Sequence, residues 1–261
     1  LGGERLLTTP EYSAYLKIGE GCDNRCTYCA IPLIRGHFRS RPMESLVAEA
    51  KELEALGVKE INLIAQDSSR YGLDLYGEYK LAALVRRLTE ETTIPWIRIL
   101  YCYPDKITDE LIEEYRTNDR LVKYMDIPIQ HISDTVLERM NRHGRKKLIV
   151  DTVNKLRERV PGVVLRTTAM VGFPGETEEE FSASLEFIRR CAFAEMHIFP
   201  YSIRPGTPAA QMEQVPPQIK EQRAHRAAAV AEGMHQSYLK SCVGQTFSVL
   251  FEQEKQGGYL G

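Results

Sequence analysis

The chain has 261 residues, of which 43% are hydrophobic and 27% charged, and its 34 basic and 36 acidic side chains give a net charge of -2. This composition is typical of a soluble globular protein, and it excludes disordered, collagen-like and disulfide-scaffold classes. No apolar run approaches the ~20 residues that a membrane span needs, and the weakly acidic balance argues against binding nucleic acid through an overall positive field.

Short apolar segments alternate with amphipathic segments about six times along the chain. The predicted strands are Tyr15–Gly19, Ile61–Ala65, Trp96–Tyr101, Tyr124–Ile129, Val163–Met170 and Met196–Tyr201. The predicted helices are Met43–Leu56, Leu81–Glu91, Asp109–Thr117, Thr135–Met140, Leu148–Arg159 and Glu178–Cys191. This alternation predicts an α/β fold with a parallel sheet and right-handed crossovers. Six units are too few to close an eight-stranded barrel, so the sheet is expected to be an open partial barrel or doubly wound.

Local signals mark the ends of some of these elements and the change of character near the C-terminus. Gly57 is a C-terminal cap, and Thr177 with Glu180 forms a capping box. Several prolines predict a stiff connection to a long helix over Ile219–Ser241, and Thr246–Glu252 has strand-like alternation. We therefore expect a core domain over residues 1–242 and, over residues 243–261, the start of a small β-domain that cannot bury a core alone.

Three of the six cysteines, Cys22, Cys26 and Cys29, lie close together after the first predicted strand. Clustered thiols favour metal binding in a reducing compartment, and we expect a cytoplasmic protein. Soft thiolates select iron–sulfur clusters, zinc or copper(I). A [4Fe–4S] cluster usually takes four cysteines, so three would leave one iron open to a substrate or cofactor. A zinc site with His37 as fourth ligand is the alternative, although structural zinc sites usually add a second ligand pair.

The segment from Gly21 to Cys29 resembles the cysteine motif of the radical S-adenosylmethionine (SAM) superfamily. The resemblance implies a partial (β/α)6 barrel in which the amino and carboxylate groups of SAM bind the open iron. It also implies that one electron from the cluster cleaves SAM to a 5′-deoxyadenosyl radical. The protein supplies ligation, orientation and exclusion of water to such chemistry.

The same resemblance places SAM-binding residues at the carboxyl ends of the strands. Tyr28 is expected beside the adenine, with plain packing as the alternative, and Gln66-Asp67 at the amino group, with a helix-capping loop as the alternative. Arg166 is expected to pair with the SAM carboxylate. The glycines of the loop at 171–177 permit close approach to the ribose and adenine. The complete predicted SAM set is Tyr28, Gln66, Asp67, Gln130, Arg166, Gly172, Phe173 and Tyr201.

A finer resemblance is to the methylthiotransferases, which replace a C–H bond by C–SCH3. It is carried by the segments Gly21–Cys26, Ile31–Pro32, Arg35–Gly36, Arg39–Pro42, Gly172–Thr177 and Tyr201–Thr207. The C-terminal residues are similar to the start of the TRAM domain, a β-domain of that family. At position 23 this chain has Asp, where branches acting on tRNA adenosines typically carry Asn. In this residue the chain is similar to the RimO branch, and also in the segments Leu6–Pro10, Ala65–Asp67 and Asp74–Gly77.

The RimO resemblance implies an aspartate of a small-subunit ribosomal protein as the substrate. We also expect an electron donor such as a flavodoxin-type reductant. No membrane association is expected, and nucleic acid is expected only as the alternative substrate. The basic residues nearest the cysteines are expected to face the substrate, with a solvated or carboxylate-paired role as the alternative. They are Arg35, Arg39 and Arg41.

Complete methylthiotransferases begin with a domain that holds a second [4Fe–4S] cluster on three further cysteines. This sequence starts at Leu1, just ahead of the first predicted strand, without an initiator Met or a secretory signal. We therefore expect the radical portion of a longer enzyme, which binds one [4Fe–4S] cluster and cleaves SAM but does not complete methylthiolation. Two other functions stay open, a tRNA-adenosine methylthiotransferase and a zinc-stabilised α/β binding module without catalysis.

Overall fold

A six-stranded parallel sheet organises the computed structural model, which describes residues 9–255 and 257–260. Its strands are β1 (Ser13–Lys17), β4 (Glu60–Ile64), β5 (Trp96–Ile99), β6 (Leu121–Gln130), β7 (Val164–Val171) and β8 (Glu195–Pro200). Two antiparallel pairs accompany it, formed by β2 (Gly19–Glu20) with β3 (Arg39–Ser40) and by β9 (Gln253–Lys255) with β10 (Gly258–Leu260). The six predicted core strands are confirmed to within a few residues at each end.

The strand order distinguishes between the two predicted sheet types. The order is β1-β4-β5-β6-β7-β8, so each successive strand adds to the same edge. A doubly wound sheet would reverse direction at a switch point, and none occurs along this order. Among the described strands β8 does not pair with β1, so the sheet is an open partial barrel, as predicted.

Helices follow the strands and cover one face of the sheet. They are α1 (Ile31–Arg35), α2 (Met43–Ala55), α3 (Leu73–Tyr76), α4 (Leu81–Glu91), α5 (Asp109–Thr117), α6 (Asp134–Arg139), α7 (Lys146–Arg159), α8 (Glu178–Cys191) and α9 (Pro217–Cys242). In α4 the buried residues include Leu81, Leu84, Val85 and Leu88, a spacing that places an apolar stripe on one side of a helix. The predicted helices are confirmed, whereas the short helices α1 and α3 were not predicted.

The two faces of the sheet differ in chemistry. Along β7 buried and half-buried residues alternate, and Leu165 and Ala169 join the apolar core that the helices complete. The half-buried set includes Arg166 and Met170 and faces the barrel interior. Since successive side chains of a strand point to opposite faces, the outer face is packed while the inner face keeps polar groups.

The predicted strand over Thr246–Glu252 is wrong. The backbone of that segment forms no strand, and the local pairing occurs further on, between β9 and β10. Val249 and Leu250 instead line a cavity of about 580 Å³ together with Trp96, at the amino ends of the central strands. The alternating hydrophobic residues Phe247, Val249 and Phe251 are exposed, so the alternation does not mark a buried strand face here. In the described residues no helix is both long enough and apolar enough to cross a membrane.

The predicted capping box at the start of α8 is present. The Thr177 hydroxyl accepts from the Glu180 N–H at 3.2 Å, and the Glu180 carboxylate accepts from the Thr177 N–H at 3.0 Å. We expect Thr177→Ala to lower the free energy of unfolding by about 1 kcal/mol, because it removes one cap acceptor. Chemical denaturation measures this change. Thr117→Ala is the control, since its hydroxyl bonds a carbonyl within α5; equal losses in the two variants would contradict the prediction.

Candidate functional site

The cysteine loop leaves the barrel directly after β2 and is closed by a backbone contact. Gly21 has φ +83°, and a Cβ there would lie 2.1 Å from the His37 carbonyl oxygen, so only glycine fits. The Cys22 N–H donates to the Gly36 carbonyl at 3.1 Å. This closure turns all three thiols toward one cavity of about 460 Å³, here called the outer cavity, lined by Cys22, Cys26, Cys29, Pro32 and Thr207, among others.

A second cavity, here called the lumen cavity, opens on the other side of the same loop. It has a volume of about 340 Å³ and includes Cys22 and Cys29 in its lining. Lys17 and Ile64 line it from the ends of β1 and β4, and Gln66 follows β4. Cys22 and Cys29 therefore line both cavities, whereas Cys26 lines only the outer cavity.

The spacing of the thiols bears on which metal they can hold. A zinc ion needs sulfur ligands at about 2.3 Å from one point. Within residues 9–255 and 257–260, no three His, Cys, Asp or Glu side chains converge in that way. The imidazole Nδ1 of His37, the predicted fourth zinc ligand, lies instead 2.7 Å from Asp23 Oδ1. Three soft thiolate donors in the lining of one cavity suit an iron–sulfur cluster.

The thiols lie in a partly desolvated setting. Burial raises the pKa of Cys22 to about 11, and the nearby Asp67 carboxylate adds to the rise. Burial also raises the pKa of Cys29. Since a metal binds the thiolate, it must displace these protons. Burial of Cys22 and Cys29 therefore opposes metal binding until their protons are lost.

A buried polar clamp holds the cysteine loop from below. The Asn24 amide donates to Asp67 Oδ2 at 2.8 Å and accepts from Lys106 Nζ at 2.9 Å. Lys106 Nζ also lies 3.1 Å from Asp67 Oδ2, and Ser69 donates to Oδ1. Asp67 is fully buried, so the structure gives it this loop-holding role. Its predicted contact with the SAM amino group stays a prediction.

Three aromatic residues of the predicted SAM set pack together in one cluster. The rings of Tyr28 and Phe173 pack edge-to-face with centroids 6.4 Å apart, and those of Phe173 and Tyr201 with centroids 5.6 Å apart. Tyr28 therefore has a packing contact, which was the alternative to a place beside the adenine. Its place beside the adenine stays a prediction. The Thr27 N–H donates to the Met140 carbonyl at 3.0 Å. The cysteine loop therefore contacts the glycine loop through the rings of Tyr28 and Phe173.

The glycine loop is held by a buried charged network that the sequence analysis missed. Gly172 has φ +67°, and a Cβ there would lie 2.5 Å from Lys220 Cγ on α9. Its N–H donates to Glu176 Oε2 at 2.8 Å. The same carboxylate binds Arg223 of α9 at 2.5 Å and lies 3.2 Å from His131 Nε2. Helix α9 therefore supports the predicted SAM loop through Lys220 and Arg223. The sequence had assigned no role to this helix.

The remaining predicted SAM residues lie at different depths. Gln66 lines the lumen cavity, and its buried Oε1 has no hydrogen-bond partner in the described part of the chain. Gln130 has φ +66° at a register shift near the end of β6. Arg166 faces the interior but lies five residues before the end of β7, about 16 Å along the strand, and Asp126 binds it at 3.1 Å. The structure thus brings Gln66 to the cysteines and leaves Arg166 deep in the barrel.

The Radical SAM superfamily model matches residues 16–188 of this chain. The chain belongs to the radical SAM superfamily. It is 48% identical over 260 residues to the ribosomal protein uS12 methylthiotransferase RimO of Clostridium novyi (strain NT). The alignment covers 99% of this chain and 59% of the relative. The chain thus spans about three fifths of the length of the curated relatives it matches.

Solved radical SAM structures share the fold. The methyltransferase TsrM of Kitasatospora setae, solved with cobalamin and a [4Fe-4S] cluster, aligns with a TM-score of 0.62 at 20% identity and covers 75% of this chain and 38% of its own. Coproporphyrinogen III oxidase (HemN) of Escherichia coli aligns with a TM-score of 0.62 at 17% identity and covers 84% and 52%. At these identities the similarity concerns the barrel alone.

In this radical SAM chain the three basic residues near the cysteines separate. Arg41 is buried, binds Glu49 at 2.6 Å and donates to the Lys17 carbonyl at 3.1 Å. The carboxylate-paired alternative therefore applies to Arg41, and Arg35 also has a carboxylate nearby, because its Nε lies 3.7 Å from Glu20 Oε1. Arg35 and Arg39 are exposed, and their predicted role toward the substrate stays a prediction.

The polar clamp predicts a specific pattern of stability changes. Lys106→Met leaves the Asp67 carboxylate buried beside Asn24 without its cation, and we expect a loss of about 3–5 kcal/mol in the free energy of unfolding. The double variant Asp67→Asn with Lys106→Met removes both charges and should recover part of that loss. Urea denaturation of the metal-free chain measures both. A double variant less stable than Lys106→Met would contradict the ion-pair interpretation.

Proposed function

We propose that this chain is the SAM-cleaving part of a methylthiotransferase that converts a C–H bond to C–SCH3 on ribosomal protein uS12, at the β-carbon of an aspartate. One observation carries the proposal: three thiols, with no fourth among the residues that the structure describes, line one cavity at the carboxyl edge of an open parallel barrel. This edge is where α/β barrels place their active sites. The high identity to the RimO relative supports the choice of substrate.

Cys22, Cys26 and Cys29 would hold one [4Fe–4S] cluster, and its fourth iron would remain open to SAM. When bound, the cluster and SAM would supply radical chemistry able to remove hydrogen from an unactivated carbon. The chain itself ligates, orients and excludes water. Gln66 offers a buried amide oxygen to the SAM amino group, and the aromatic cluster of Tyr28, Phe173 and Tyr201 walls the adenine side.

The rest of the proposal concerns partners and neighbouring domains. A flavodoxin-type reductant supplies the electron in the cytoplasm, without a membrane. Residues 1–242 form the radical domain, and residues 243–261 begin a TRAM-like β-domain. The length of the relatives beyond this chain leaves room for a domain with the second [4Fe–4S] cluster that provides the sulfur.

The cluster assignment predicts the iron content of the chain. After anaerobic reconstitution we expect about four irons per chain, absorbance near 400 nm, and dithionite-driven conversion of SAM to methionine and 5′-deoxyadenosine. Cys26→Ala should abolish the absorbance and the cleavage, because it removes one of three ligands. Cys242→Ala is the matched control and should retain both. Colourless zinc-loaded protein, or about eight irons per chain, would contradict the assignment.

The substrate is tested by hydrogen transfer, which needs only the SAM-cleaving part. The reconstituted chain is mixed with SAM, dithionite and uS12 carrying deuterium at the β-carbon of its aspartates. We expect deuterium in the released 5′-deoxyadenosine, detected by mass spectrometry, and none from unlabelled uS12. Label that instead comes from tRNA deuterated at its adenosines would overturn the ribosomal assignment and favour the tRNA branch.

A further inference from the structure

Each thiol of the cysteine loop has a hydrogen-bond donor aimed at its sulfur. Cys22 accepts from the backbone N–H of Asn24, and Cys29 accepts from that of Ile31. Cys26 differs, because its partners are side chains: its Sγ lies 3.6 Å from the hydroxyl of Tyr103, which is 77 residues away in sequence, and it also pairs with the Tyr28 hydroxyl. A backbone donor is fixed by the fold, whereas a side-chain donor can be removed by one substitution.

Tyr103 is held firmly in this position. It follows β5, and its N–H donates to Ser69 Oγ at 3.0 Å. The guanidinium carbon of Arg142 lies 4.2 Å from the ring centroid, and Lys106 Nζ lies 4.7 Å from it. Arg142 is itself buried and donates to the Pro128 carbonyl and, at 3.4 Å, to the Tyr28 hydroxyl. The phenol is therefore fixed by contacts on its ring and its backbone.

The direction of the hydrogen bond follows from the chemistry of a metal-bound sulfur. A thiolate ligand has no proton, so it can only accept. A phenol hydroxyl has one proton to donate, so the Tyr103 hydroxyl is the donor in this pair. Cations close to the ring draw electron density from the phenol and strengthen it as a donor.

We propose that Tyr103 is a positioning residue that raises the reduction potential of the cluster through its hydrogen bond to Cys26. A donor to a ligand sulfur stabilises the more negative, one-electron-reduced cluster, and such bonds help to set iron–sulfur potentials. Arg142 acts in the same direction, because its positive charge is buried beside Tyr103 and near Cys26. The inference rests on the proposed function, since it requires the cluster on these three cysteines.

The test is Tyr103→Phe, which removes one oxygen and keeps the ring beside Arg142 and Lys106. The reconstituted chain is titrated anaerobically with dithionite against redox mediators, and the reduced cluster is followed by electron paramagnetic resonance. At a fixed potential near the midpoint we expect the ratio of reduced to oxidised cluster to fall threefold to tenfold, where tenfold corresponds to 59 mV for one electron. Iron content should stay at the wild-type value.

Tyr115→Phe is the matched control, because it removes another buried phenol oxygen that has no hydrogen-bond partner in the described residues. It should leave the ratio unchanged. A second variant, Arg142→Gln, keeps the hydroxyl and should shift the ratio in the same direction as Tyr103→Phe. An unchanged or higher ratio in Tyr103→Phe overturns the inference while the proposed function stands. A wild-type chain without a cluster overturns both.

Discussion

The site depends on one constraint, which is that three sulfur donors on a single eight-residue loop must be held apart around a cavity. A single metal ion would draw them together, whereas a cluster needs them spread. Such a loop has little apolar surface of its own, so it cannot fix its shape by packing. The glycine at its start, the Asn24 clamp and the Tyr103 hydroxyl each supply a contact that packing cannot.

Two buried charged networks repeat this arrangement on opposite parts of the barrel mouth. Asp67 and Lys106 support the cysteine loop from the strands on the β4 side, and Glu176 with Arg223 supports the glycine loop on the β7 side. Buried ion pairs add little net stability, because desolvation offsets their attraction. Their value is geometric, since the hydrogen bonds of a buried polar network fix the arrangement of the loops that it joins.

What the sequence could predict follows from the range of the signal. The spacing of Leu81, Leu84, Val85 and Leu88 predicts helix α4, and the spacing of Cys22, Cys26 and Cys29 predicts the cysteine loop. Neither requires knowledge of distant residues. Tyr103 and Lys106 lie 77 and 82 residues from their partners in the loop, and no local pattern announces such a contact. Thr246–Glu252 misled because a period of two marks a strand only where another strand is available to pair.

The open barrel also explains why its interior can remain polar. A closed eight-stranded barrel fills its interior with layers of branched apolar side chains. Here the inner face of β7 carries Arg166, bound to Asp126 of β6 and 3.5 Å from Glu195 of β8. These charges join three neighbouring strands across their inner faces and occupy the depth of the barrel. The space next to the thiols at the carboxyl edge is left for ligands, so the polar floor and the free mouth are two consequences of the same incomplete closure.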